Sequence, residues 1–130
     1  MAHTVAAANN YASDLISLER FKEAKTVLRK TLPVARRVIG ESDRITLTMK
    51  KIYAQTLYQD DSSTPDDLRE AVTKLEETER TARRVFGGTH PLTVDIEGNV
   101  RDARAELAAR EGGDVSSVCD GVAAMAPGGA

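Results

Sequence analysis

The chain has 130 residues, 41% of them hydrophobic and 29% charged, which is room for one soluble domain with one modest core. Aromatics make up 4% and tryptophan is absent, so that core must come from Leu, Val, Ile and Ala, a palette suited to helix-on-helix packing. The formal charge is −2, with Lys and Arg interspersed among Asp and Glu; this excludes the clustered basic surface that nucleic acid requires, and no stretch approaches the roughly 18 apolar residues of a membrane span.

In chain order, the first element is a helix in which Val5, Ala8, Tyr11, Ala12, Leu15 and Leu18 recur at three- and four-residue spacing, one stripe of an amphipathic surface. A second helix follows, with Phe21, Ala24, Val27, Leu28, Leu32, Ala35, Val38 and Ile39 as its stripe and Gly40 as its stop. These two patterns are named helix A and helix B. A second helix A runs from Thr46 to Tyr58. The polar cluster Asp60-Asp61-Ser62-Ser63-Thr64-Pro65 then reads as an enlarged loop. A second helix B follows from Pro65 to Phe86, with Thr64 as N-cap, Pro65 at the first helical position, Asp66 and Asp67 in the first turn, and Gly87-Gly88 at its end. A third helix A is expected from Pro91 to about Glu111, its stripe being Ile96, Val100, Ala103 and Leu107. Residues 1–111 thus form one domain of five helices. Residues 112–130, rich in Gly, Ala and Ser, are expected to be a flexible tail, with a faint Val115, Val118, Val122 and Met125 spacing that would allow a frayed helix.

The chain repeats itself. Residues 21–40 laid on 68–87 give ten identities in twenty positions, where about one is expected by chance. Ala35-Arg36-Arg37-Val38 returns as Ala82-Arg83-Arg84-Val85, and Gly40 as Gly87. Upstream, Thr4, Tyr11, Ala12 and Leu15 return as Thr46, Tyr53, Ala54 and Leu57 at an offset of 42; the later offset of 47 places five extra residues in the loop before Pro65.

Asn9-Asn10-Tyr11-Ala12, Leu15, Phe21, Glu23-Ala24, Val27-Leu28-Arg29 and Leu32, together with the link His90-Pro91-Leu92-Thr93-Val94, resemble the 42-residue tetratricopeptide repeat of kinesin light chains. A weaker form of the same link is Asp43-Arg44-Ile45-Thr46-Leu47. The resemblance covers roughly residues 4–111. It implies an all-α, right-handed helical-hairpin solenoid of about two and a half repeats, in which Ala12, Ala24, Ala54 and Ala71 let helices approach closely. Two positions depart from that pattern. Pro33 lies inside a helix B, where a bend is expected. Arg101 and Arg104 replace Ala54 and Leu57 by register, which suits a terminal cap.

The same resemblance implies a protein-binding adaptor whose concave, helix A face holds a short linear peptide. Candidate contacts on that face are Asn9, Asn10 and Ser13 in the first unit, Lys51, Gln55 and Tyr58 in the second, and Asn99 and Asp102 in the third. Spaced side-chain amides can bond an extended peptide backbone whatever its side chains. Lys51 is the one cation expected in the groove, favouring an acidic guest. The alternatives are a self-associating structural module, a homo-oligomer joined through exposed repeat ends where Val5 and Ala8 stand free, or a fragment of a larger repeat protein.

No pattern proposes catalysis, a cofactor or a metal. His3 and His90 have no cysteine nearby, and His90 is expected to close a turn and cap the helix after it. Glu76-Glu77 and Asp60-Asp61 lack the apolar surroundings that separate a catalytic acid from a base. Arg36-Arg37 and Arg83-Arg84 suit the negative ends of helix dipoles, or alternatively a ridge for an acidic partner. The lone Cys119 and the absence of a leader-like segment are compatible with the cytoplasm.

Overall fold

The computed structural model describes residues 2–112, and among them there are five α-helices and no strand. They are α1 (Ala2–Ser17), α2 (Phe21–Val38), α3 (Arg44–Tyr58), α4 (Pro65–Phe86) and α5 (Pro91–Gly112). The expected tail, with Cys119 and the faint valine spacing, lies outside the described residues. No described helix is long and apolar enough to cross a membrane.

The helix boundaries follow local chemistry. Asp43 accepts from the Ile45 amide at 2.9 Å and caps α3. At the same place in the next repeat, His90 does this with its ring: Nδ1 accepts from the Leu92 amide at 3.1 Å, and the imidazole stacks on Phe86 with centroids 4.7 Å apart. The expected capping role of His90 is therefore present. Thr64 and Asp67 form a reciprocal capping box ahead of α4, with Pro65 at the start, where its missing N–H costs nothing. At the far ends, Gly40 and Gly87 adopt φ of +99° and +93°, a region that glycine reaches without a Cβ clash. α1 has no glycine to stop it. Glu19 takes φ +59° instead, while Arg20 N–H donates to the Leu15 carbonyl at 2.8 Å. Pro33 interrupts nothing at the level of the element, since α2 runs from Phe21 to Val38 through it.

Packing is sequential. α1 lies on α2 and α3, α2 on α3, α3 on α4 and α5, and α4 on α5; α1 and α2 touch neither α4 nor α5. Two apolar clusters result. One gathers Val5, Ala12, Leu28, Leu32 and Ala35 with Met49 and Ile52 of α3. The other gathers Leu47, Ala54 and Leu57 of α3 with Leu68, Ala71, Leu75 and Ala82 of α4 and Leu92, Ile96, Val100 and Ala103 of α5. α3 is thus covered on two sides and holds the clusters together, with Tyr53 packed against both. All four alanines expected at close helix approaches are fully buried.

Three stripe residues do not go inside. Tyr11 is 52% exposed, Leu18 64% and Val38 38%. Leu18 lies beyond the last residue of α1, so the helical periodicity no longer governs it. Tyr11 occupies the register of Tyr53, but among the described residues no helix besides α2 and α3 packs on α1. Val5, expected to stand free at the first end, is instead completely buried.

The enlarged loop between α3 and α4 is tied down from a distance. Arg110, in the last turns of α5, donates to the Ser63 carbonyl at 2.5 Å and to the Asp61 carbonyl at 3.3 Å. Within the loop, Asp60 accepts from the Ser62 amide and hydroxyl at 3.0 and 2.9 Å. The amide bond from Ser62, ahead of the cost of partial burial, keeps the Asp60 carboxyl below the usual range.

Candidate functional site

Repeat register sorts the eight candidate residues into two rows. Asn9 and Lys51 share one position, which Gly98 fills in α5; Ser13, Gln55 and Asp102 share the next; Tyr58 takes the place of Ile16 and Ala105. Because i, i+4 and i+7 fall on one helix face, these residues form a strip along α1, α3 and α5. Asn10 and Asn99 belong to the neighbouring row. Its middle member is Ile52, buried in the cluster with α1 and α2, so a covered position separates the two asparagines.

Side-chain environments along the strip differ. Asn10, Ser13 and Asp102 are exposed, and Asn9, Lys51, Gln55 and Asn99 are half-buried. The Asn9 amide oxygen is buried without a hydrogen-bond partner in the structure. A buried unpaired acceptor carries the cost of its lost hydration, on the order of 1–3 kcal/mol, until a donor reaches it. The Lys51 side chain is 18% exposed and its Nζ stands 3.9 Å from Asp95 of α5, so this cation is already shared with a carboxylate.

Tyr58 and Asp102 come together at the loop end of the strip. They line one open cavity of about 380 Å³ with Gln59, Asp61, Ala105 and Glu106. Tyr58 is nearly buried, and that burial pushes its phenol above the usual tyrosine range. Gln59 donates to the Tyr58 hydroxyl at 3.5 Å, a long contact. Glu106 is paired with Arg110 at 3.5 Å, leaving Asp61 and Asp102 to set the charge of the cavity. Its chemistry is that of an aromatic wall with an acidic rim.

The repeated arginines are spent differently in the two copies. Arg83 bridges Glu79 at 2.5 Å and Glu97 of α5 at 2.7 Å, tying the second helix B to the helix after it. Arg36 meets only Glu41, at 3.4 Å. Sequence reasoning missed Asp61, Asp95 and Glu106 beside the strip. Asp95 was within reach, being one turn ahead of Asn99 on the same helix. Glu106 likewise stands one turn after Asp102, whereas Asp61 had no such signal, because Arg110 fastens its loop from more than forty positions away.

Compared with family models, curated proteins and solved structures, the chain matches none.

Proposed function

We propose that this chain is a tetratricopeptide-type helical-hairpin solenoid whose concave, helix A face receives an extended peptide. The strictly sequential packing supports that reading: a repeat array brings each hairpin only to its neighbour, whereas a closed bundle would join its first and last helices. The observation that carries the binding role is the aligned strip, with Asn9, Ser13 and the Gln55 amide in line with the Tyr58 cavity. Side-chain amides suit main-chain recognition, and an aromatic-walled cavity suits one inserted side chain.

The charge around that cavity alters the expected guest. With Lys51 shared by Asp95 and with Asp61 and Asp102 at the rim, the strip favours a cationic residue over an acidic one. A chain of two and a half repeats offers a shallow arc, so affinity for an isolated peptide is modest. Lacking a possible internal disulfide, the protein suits the cytoplasm.

A peptide array tests the reading. Wild-type protein retains extended peptides carrying Lys or Arg, and Asn9→Ala combined with Gln55→Ala loses them. Asp102→Lys shifts retention toward Asp- and Glu-containing peptides. Equal retention by all three proteins removes the assignment of the strip. Sedimentation at rising concentration separates it from the self-associating alternative, which requires a rising mass.

A further inference from the structure

A second cavity, of about 230 Å³, opens on the other side of α3. α2 and α4 flank α3 with their backbones apart, and the cavity lies in the gap between them. Lys50 and Tyr53 leave α3 on a different side from Lys51, Gln55 and Tyr58, and this cavity shares no lining residue with the one beside Tyr58.

Its lining is cationic although the body of the protein is close to neutral. Arg29 and Arg36 come from α2, Lys50 from α3 and Lys74 from α4, against one lining carboxylate, Glu77. Glu41 reaches in to Lys50 at 2.8 Å and Arg36 at 3.4 Å, so cations still outnumber carboxylates around the cavity. Glu70 approaches Lys74 only at 4.0 Å, the limit of an ion pair. Arg29 takes part in none of the ion pairs among the described residues, although Tyr53 and the more distant Glu70 favour its charged form. Leu32, Pro33 and the Tyr53 ring supply an apolar wall beside these charges.

We propose that this cavity binds a phosphate monoester. Arg29 and Arg36 offer planar forks that match phosphate oxygens in pairs, while Lys50 and Lys74 act as point charges on either side. Four cations converging on one lining carboxylate favour a dianionic phosphate over a singly charged carboxylate. The volume is below that of a pocket for a drug-sized ligand, about 300 Å³ at the least, and fits a phosphate carried on a group the size of one side chain. The organic part rests on Leu32, Pro33 and Tyr53. Such a group reaches the protein either on a modified residue of a partner peptide or on a free phosphorylated metabolite.

Isothermal titration of the 130-residue chain decides it, with phenyl phosphate, a phosphotyrosyl peptide, its unphosphorylated twin and benzoate as probes. Saturable binding of either phosphorylated probe at millimolar concentration or below, weakened about tenfold by Arg29→Gln and by Lys74→Gln and unaffected by Lys22→Gln, is the expected result; about tenfold is one lost charge-assisted contact. Tighter binding of the peptide identifies a modified partner as the source, and tighter binding of phenyl phosphate identifies a metabolite. No saturable binding of either phosphorylated probe overturns the proposal, as does benzoate binding equal to phenyl phosphate or full affinity in Arg29→Gln. Both substituted side chains stand at the surface, and unchanged melting of the variants establishes that the fold is intact. Asn9→Ala with Gln55→Ala leaves this binding unchanged, so failure of the concave-face reading and failure of this one are distinguishable.

Discussion

The middle helix A and its two terminal counterparts share one backbone register and bury very different surfaces. On the side of α3 that meets the first hairpin stand Thr46, Met49, Ile52 and Thr56, all buried; the same positions of α1 are Thr4, Ala7, Asn10 and Asp14, all exposed. On the side that meets α4, α3 carries Leu47, Ala54 and Leu57; α5 carries Val94, Arg101 and Arg104 there, and all three are exposed. Each of these two helices therefore keeps apolar residues where a described helix packs on it and carries polar or small residues on most of the other face, Arg104 reaching back from there to Glu76 of α4. Apolar area available to bury favours a packed neighbour, and a guanidinium that docking would desolvate disfavours one.

Exchanging residues at one register breaks this comparison most sharply. Ala54→Arg places a charge where no side chain is accessible and is expected to cost about 4 kcal/mol or more, enough to unfold a small domain, whereas Arg101→Ala stays within about 0.5 kcal/mol; urea denaturation measures both. Comparable costs at the two sites would mean that α5 is covered like α3. The reverse exchange comes next. Arg101→Leu with Arg104→Leu, added to Val94 at 49% exposure, creates a continuous apolar face, and concentration-dependent dimers are expected in sedimentation. A strictly monomeric double variant would show that these arginines are not what keeps this face of α5 unpaired.

Helix starts give an intermediate effect. Thr64→Ala removes one half of the capping box and leaves the Asp67 amide without its acceptor, costing about 1–2 kcal/mol, and His90→Ala loses a cap and the Phe86 stack for about 1–2 kcal/mol. Arg20→Ala, at the start of α2 where no side chain caps the helix, costs about 0.5 kcal/mol or less, its ion pair with Glu23 being exposed. Thermal melts rank the three.

The smallest effect is electrostatic. The hydrogen bond from Lys50 holds the Glu41 carboxyl below its ordinary range, with Arg36 adding attraction. A carboxyl with a depressed folded pKa adds stability that is present above the unfolded pKa and is lost as pH falls through the folded one. Because the side chain is largely exposed, wild type exceeds Glu41→Gln by only about 0.5 kcal/mol near neutral pH, and the two converge in acid. A gap that persists at low pH would assign Glu41 a role other than charge.

Much of this architecture was legible beforehand. Five helices, the capping of α4 by Thr64, the capping of α5 by His90 and the glycine stops all depend on neighbours within four residues, which periodicity and capping chemistry expose directly. The candidate strip was half legible. Register placed Asn9, Ser13, Lys51, Gln55 and Asp102 together because i, i+4 spacing survives folding, but it grouped Asn10 and Asn99 with them although Ile52 at their shared position is buried. Tyr11 shows the same limit, since its spacing is that of a core residue while no described helix covers it.

What the sequence alone determined, then, is the set of helices, their caps and the order in which their apolar stripes recur, because these are short-range properties of the chain. Which cations remain without carboxylate partners, how Arg110 fastens a loop 47 residues away, and that Arg29, Lys50 and Lys74 border one cavity were decided by tertiary structure. Charges and donors act through space across helices that packing sets side by side, and no spacing along the chain encodes that distance.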